Sequence, residues 1–199
     1  MTTQSSHQSK ETQTLTKYLG DQHSLESHIF QAIDKQVKSF PQGHPEALQQ
    51  VQTFQTVLQG HLSSLESRIQ ALGGSPTHPV KEAVSAFAGI IAGLYDQVRT
   101  EEASKDLRDD YTALNLSIIA YVMLHTTALA FNDQETAALC KQNLTDNANF
   151  VMQIQHLMPA LVIQEYEQDG GFSTLNKDAA LTGTHETIHQ VWNTNPQHG

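Results

Sequence analysis

The chain has 199 residues, enough for one domain of ordinary size with a real core or for two very small ones. Eleven Lys and Arg stand against 21 Asp and Glu, a formal charge of −10, while charged residues make up only 16% of the chain and hydrophobic ones 38%. The low charge fraction argues against a disordered polyampholyte and the negative sign against nucleic acid as a partner, and a single cysteine, Cys140, excludes an internal disulfide framework or a Cys-rich zinc module.

The opening segment, MTTQSSHQSKETQT, lacks the apolar stretch a secretory signal needs. Residues 1 to about 12 are therefore expected to form a disordered lead, and the cytoplasm is the expected compartment. From about 14 to 39, Leu15, Leu19, Gln22, Leu25/Glu26, Ile29, Ile33 and Val37 recur with helical period. Pro41-Gln42-Gly43-His44-Pro45 breaks that segment, and Pro45 suits a first helical position. A second helix, about 45–72, repeats Leu48, Val51, Phe54, Leu58, His61/Leu62, Leu65 and Ile69 and stops at Gly73-Gly74-Ser75-Pro76. A shorter apolar helix is expected at about 79–98.

The third long helix, about 104–131, repeats Leu107, Tyr111, Leu114, Ile118, Tyr121, His125 and Leu129. Its stretch Ala113 to Phe131 carries no charge, which fits a helix buried in a bundle or at a dimer seam better than a membrane span. Asn132 is expected to cap the next helix, with Glu135 as its capping-box acid. That fourth helix, about 133–165, repeats Cys140, Asn143/Leu144, Asn147, Phe150/Val151, Ile154, Leu157 and Leu161, and Pro159 is expected to kink it. Nothing sustains the period-2 alternation of strands.

Short loops pair the first helix with the second and the third with the fourth, while residues 74–103 are too many for a simple turn. The expected fold is all-α, a ferritin-like four-helix bundle with a crossover connection containing an extra short helix. Residues 13–166 would form the bundle and 167–199 a C-terminal tail.

Glu26 sits in the apolar stripe, and a buried carboxylate costs several kcal/mol unless it is paired, protonated or bound to metal. Ferritin-like sites place one Glu on each of two helices and Glu-x-x-His on the other two, and Glu26 fits the first role. An edge carboxylate hydrogen-bonded to a Tyr, His or Gln is the plainer alternative. His61 lies where an imidazole ligand is wanted, but Leu58 occupies the place of its Glu. The third helix offers Leu114, Ile118 and Tyr121 inside, and the fourth offers Asn143 and Asn147, with Asp146 one step off the face. His125 is displaced by roughly 10–15 Å along its helix from the layer of Glu26. One convincing interior acid falls short of the four or so carboxylates of a two-metal centre.

His185-Glu186-Thr187-Ile188-His189 matches the zinc-protease pattern, yet only ten residues follow His189 and no strand-based cleft is expected, so the match is weak evidence and leaves adventitious metal binding at most. Glu101, Glu102, Asp106, Asp109 and Asp110 crowd the start of the third long helix, where acids complement the macrodipole, and are expected to form a solvated face. Cys140 is expected to be a buried thiol without a general base beside it.

The run from Leu19 to Ile33, Leu19-Gly20-Asp21-Gln22-His23-Ser24-Leu25-Glu26 and onward, resembles the opening helix of the YciE/YciF group of ferritin-like proteins. Gly60-His61-Leu62-Ser63-Ser64-Leu65-Glu66 and Leu72-Gly73-Gly74-Ser75-Pro76 resemble the end of the group's second helix, and Asn132 to Leu139 its entry to the last helix. The resemblance covers about residues 15–165. It implies a ferritin-like fold, a bacterial, cytoplasmic, stress-associated setting and a dimer. It also implies acids that are absent: Ala113-Leu114-Asn115-Leu116 stands where the group has Glu, His and Glu, and Asp146-Asn147 where it has an acidic pair. Of the implied metal ligands Glu26 survives, with His61 and Asp146 beside it.

The expectation is therefore a bundle with a degenerate two-metal site, a structural or interaction module rather than an enzyme, with no resident cofactor. A homodimer through uncharged helix faces is the expected assembly, with neither nucleic acid nor membrane as partner. The alternative is a residual site for iron or another divalent metal at Glu26, His61 and Asp146, with the activity of an iron-handling or di-iron oxidase protein. The tail, 170–199, has a Gly/Asn/Thr/His composition unlike a packed element and could serve as a protein-recognition segment.

Overall fold

A computed structural model describes residues 9–75 and 102–193, together with Gly89, Ile91, Gly93 and Tyr95 of the stretch between. The lead at 1–8 and most of the short helix expected at 79–98 lie outside the described residues, although those four residues are themselves helical. Five helices are described: α1 (Lys10–Ser39), α2 (Pro45–Ala71), α3 (Ala103–Ala130), α4 (Gln134–Asp169) and α5 (Lys177–Asn193). No strand occurs among the described residues.

The helix ends follow from local chemistry. Ser9 caps α1 by accepting from the Thr12 amide, so the helix starts a turn earlier than the apolar period suggested. Pro45 opens α2, where its missing N–H costs nothing. The α2 entry turns at Gly43, whose φ of +94° only glycine holds without strain and against which the Gln168 side chain packs closely. Asp133 caps α4, accepting from the Thr136 amide, while Asn132 takes the left-handed φ of +58° that ends α3. This displaces the expected cap by one residue: Asn132 is the turn residue, and Glu135 pairs with Arg68 instead of closing a capping box. The amide of Ser104, an orphan donor at the start of α3, is met by Glu165 of α4 at 2.8 Å. Helix α4 runs on through Pro159 to Asp169.

α1–α2 and α3–α4 are antiparallel hairpins, docked so that α1 packs on α3 and α2 on α4. Gln22 meets Ser117 while Gln36 faces Asp110, and His61 meets Asp146 while Arg68 meets Asp133, so both of these contacts are antiparallel too. Helices α2 and α3 are thus diagonal and parallel. The chain must travel the length of the bundle to join them, which is why residues 72–102 cannot be a short loop.

The buried apolar side chains form two clusters, a smaller one with Leu15, Leu19, Leu65, Ile69, Leu124 and Cys140 and a larger one around two stacked phenylalanines. Leu25, Ile29, Val51, Leu58, Leu107, Leu114 and Ile154 are buried around Phe54 and Phe150, whose rings stack at 4.2 Å. Each fully buried side chain of this size contributes about 1.5–3 kcal/mol.

The buried stripe of α3 differs from the expected one. It runs Leu107, Asp110, Ala113/Leu114, Ser117, Tyr121, Leu124 and Ala128. Ser117, Leu124 and Ala128 take inward places expected for Ile118, His125 and Leu129, so Ile119, Val122, Met123 and Leu129 are exposed and His125 is half-buried at the edge. The apolar period is ambiguous because α3 carries large apolar residues on both sides: Leu107, Leu114, Tyr121 and Leu124 inside, and Ile119, Val122, Met123 and Leu129 outside. By length and composition α3 could also cross a membrane, but here its inner face packs on α1 and α4. The C-terminal segment departs from expectation as well, since residues 177–193 form the helix α5, laid against α4.

Candidate functional site

Glu26 points into the middle of the bundle from α1 and is fully buried. Tyr121 donates to its Oε2 at 2.9 Å. Ser117 donates to Oε1 at 3.0 Å and Asn147 Nδ2 at 3.1 Å. His61 Nδ1 makes a longer contact with the same oxygen at 3.4 Å. Every helix of the four-helix core supplies a member: α1 the acid, α2 the imidazole, α3 the two hydroxyls and α4 the amide.

Further residues hold these donors in place. Gln22 Nε2 donates to Ser117 Oγ at 2.8 Å, and Asn143 Nδ2 to the Tyr121 hydroxyl at 2.8 Å. The imidazole of His61 is held from both sides, with Nε2 lying 3.3 Å from Asp146 Oδ2. Asp146 itself stands at the surface edge with 29% of its side chain exposed and receives Gln142 Nε2.

Glu26 is ringed by hydrogen-bond donors, and its neighbours respond to it. Burial opposes protonation of His61, but the hydrogen bond and charge of Glu26, followed by those of Asp146, outweigh it and raise the imidazole above its ordinary value. Burial and then the Glu26 charge push the Tyr121 phenol well above its usual range, so it stays a donor. Charge-assisted hydrogen bonds of this kind are roughly twice as strong as neutral ones, which offsets the desolvation of the carboxylate.

Glu26, His61 and Asp146, the three residues expected from sequence, are thus brought together, but in a line. The carboxylates lie against opposite nitrogens of one imidazole ring, so they do not converge on a common point. At this level α3 presents Ser117 and Tyr121 and α4 presents Asn143 and Asn147, all neutral. Among the described residues no group of three or more His, Cys, Asp or Glu side chains could hold a metal ion. The donor set does not fit a two-metal centre. His185 of the protease-like pattern places Nε2 3.1 Å from the His156 carbonyl oxygen, and the two rings stack at 4.8 Å.

Sequence reasoning missed two parts of the site. Ser117, the hub between Glu26, Gln22 and Asn147, gave no apolar signal, although it lies one turn before Tyr121. The second is another buried acid. Asp110, expected on a solvated face, is fully buried, and Asp109 is 7% exposed. Tyr95 donates to Asp110 Oδ1 at 2.7 Å. The Gln36 amide faces the same carboxyl, but neither of its polar atoms nor Asp110 Oδ2 closes a hydrogen bond among the described residues. Burial raises Asp110 to about 7 against the pull of Tyr95 and Gln36, and Asp106 and Asp109 add to the rise. An Asp-Asp pair at a helix start reads as a dipole complement; the phase that turns one of them inward shows only in the packing.

Two antiparallel hairpins joined by a crossover, with a polar cluster fed by all four helices, define an all-α bundle of the ferritin-like class. Residues 10–167 match the family model described as a domain of unknown function, DUF892, and the chain belongs to that family. No curated protein matches it significantly. Among solved structures it is similar to a protein from Xanthomonas campestris pv. campestris, with a TM-score of 0.66 and 18% identity over 81% of this chain and 99% of that one. An archaeal Dps homologue from Halobacterium salinarum aligns with a TM-score of 0.65 and 17% identity over 74% of this chain and 81% of that one. A ferritin-like, diiron-carboxylate protein from Bacillus anthracis str. Ames aligns at 0.61 and 18% over 75% of this chain and 99% of that one. At such identities the likeness establishes the fold alone.

Proposed function

We propose that this protein is a divergent relative of the YciE/YciF group whose two-metal centre has degenerated into a hydrogen-bonded core, and that it acts in the cytoplasm as a stress-associated structural or interaction module. The observation that carries this reading is the occupancy of Glu26. Both of its oxygens are taken by side-chain donors, in the layer where ferritin-like relatives hold their ligands. The partner surface is the outer side of α3, where Ile119, Val122, Met123 and Leu129 are exposed on a helix with no charged residue from Ala113 to Ala130. For a chain of net charge −10, a second copy approaches most easily along such a neutral face.

Metal analysis after aerobic purification and Fe²⁺ loading tests the first part. Iron at well below one atom per chain is expected, and two bound iron atoms per chain would overturn the degenerate-site reading. Light scattering tests the second: the wild type should run as a dimer and Met123→Glu as a monomer.

One observation favours a residual single-metal site instead, namely the pairing of His61 with the partly exposed Asp146. Glu26→Ala separates the two readings. A change in stability alone supports the hydrogen-bonded core, whereas loss of a bound metal supports the residual site.

A further inference from the structure

Among the described helices, α5 alone buries none of its residues. The reason is a space beneath it. Ala180, Thr184, Ile188 and Trp192 recur at every fourth position and line one wall of a cavity of about 570 Å³. The opposite wall is α4, through Ile154, Met158, Val162 and Ile163. From Ile154 to Ile163 the cavity follows α4 for roughly 14 Å. Its volume lies within the ~300–1,000 Å³ usual for small-molecule sites, and its walls are mostly apolar, so water gains little by filling it.

The polar lining is concentrated where α3 meets α4. Gln155 Nε2 donates to the Tyr111 hydroxyl at 2.9 Å, which leaves the phenolic proton free to donate in turn. Arg108, the sole charged residue of the lining, is half used: Nε and Nη2 both donate to Asp109 Oδ1, at 2.9 and 2.6 Å. Its Nη1 bonds to nothing among the described residues, and 55% of the side chain is exposed. A long apolar cavity with a half-vacant guanidinium and a phenolic donor on one wall is complementary to an anion on an aliphatic chain.

We propose that this cavity binds an elongated aliphatic carboxylate, with its chain between α4 and α5 and its head on Arg108 and Tyr111. The site is separate from the Glu26 cluster, so it stands whichever way the metal question is decided. It gives α5 a role as the outer wall of a binding site, completed when the ligand covers the exposed face of Trp192.

Trp192 is the single tryptophan of the chain, so its emission reports this site alone. The full-length protein would be titrated with dodecanoate, dodecanol and dodecylammonium, each below its micelle concentration. Dodecanoate is expected to give a saturable blue shift, with dodecanol binding about tenfold more weakly and dodecylammonium more weakly still. Arg108→Gln should remove the preference for dodecanoate over dodecanol. Thr184→Phe, at an exposed position and with circular dichroism as the check on folding, should obstruct the cavity and weaken both by about tenfold. Absence of a saturable shift would overturn the proposal, as would equal affinity for the three amphiphiles or unchanged binding in Thr184→Phe. It would likewise be overturned by wild-type emission that is already blue-shifted and moves to the red as a dimer dissociates on dilution, which would make a second copy the occupant.

Discussion

Replacing Asp110 by Asn should make the protein more stable at neutral and alkaline pH. In the native state burial raises this carboxyl to about 7 from its ordinary value of 3.8. The folded state therefore holds a proton that the unfolded chain releases, and stability falls as pH rises between the two values. The slope is about 1.4 kcal/mol per pH unit from roughly pH 4 to pH 7, which sums to on the order of 4 kcal/mol at pH 8. The Asn side chain keeps an acceptor for the Tyr95 hydroxyl and adds a donor toward the unpaired Gln36 oxygen, so it removes the titration without leaving a gap. Urea unfolding of both proteins at a series of pH values gives the measurement, and the difference between them cancels every other titrating group. The two should agree within about 1 kcal/mol near pH 4, and the variant should lead increasingly up to pH 7 or 8. A difference that stays constant from pH 4 to pH 8 would falsify the assignment of a buried, protonated acid. A variant less stable at pH 8 would do the same.

Glu26→Ala should cost about 3 kcal/mol or more in urea unfolding, because it strands Ser117, Tyr121 and Asn147 as buried donors around a cavity; a loss below 1 kcal/mol would show that the network contributes little. Arg68→Ala should lower stability by about 1–3 kcal/mol, since Arg68 bonds both Asp133 oxygens at 2.7 Å and also holds Thr136 and Glu135. The loss should shrink when Asp133→Ala is already present, and additivity would refute the coupling. Cys140 is buried and burial pushes its thiol up to about 12, so a thiol reagent such as dithionitrobenzoate should react only at the rate of unfolding. Fast labelling of the native protein would contradict that.

The bundle was legible because its information is local. Turn residues at 41–45, 73–76 and 132 and helical periods in between locate four helices within a few residues of their observed ends, and the long gap after Gly74 forces a crossover. Glu26 was legible as a charge in an apolar stripe. The phase of α3 was not, because a helix with Ile118, Ile119, Val122, Met123 and Leu124 on several sides gives apolar period no single answer. Asp110 and Ser117 turn inward only because α1 presents Gln36 and Gln22 opposite them, a tertiary fact. The helix at 177–193 was hidden by its composition: Gly183, three threonines and two histidines mask the four-residue recurrence of Ala180, Thr184, Ile188 and Trp192.

The network around Glu26 also fixes register. Apolar ridges on two long helices can pack in alternative positions one turn, about 5.4 Å, apart at small cost. Sliding α1 by one turn against α3 would bring Gln22 or Phe30 to the place of Glu26 and leave the hydroxyls of Ser117 and Tyr121, with the amide of Asn147, facing the wrong partner. The carboxylate is thus a key cut for one alignment of the two hairpins. A bundle aligned by this carboxylate keeps a unique seating of its halves, and with it a fixed shape on its outer faces.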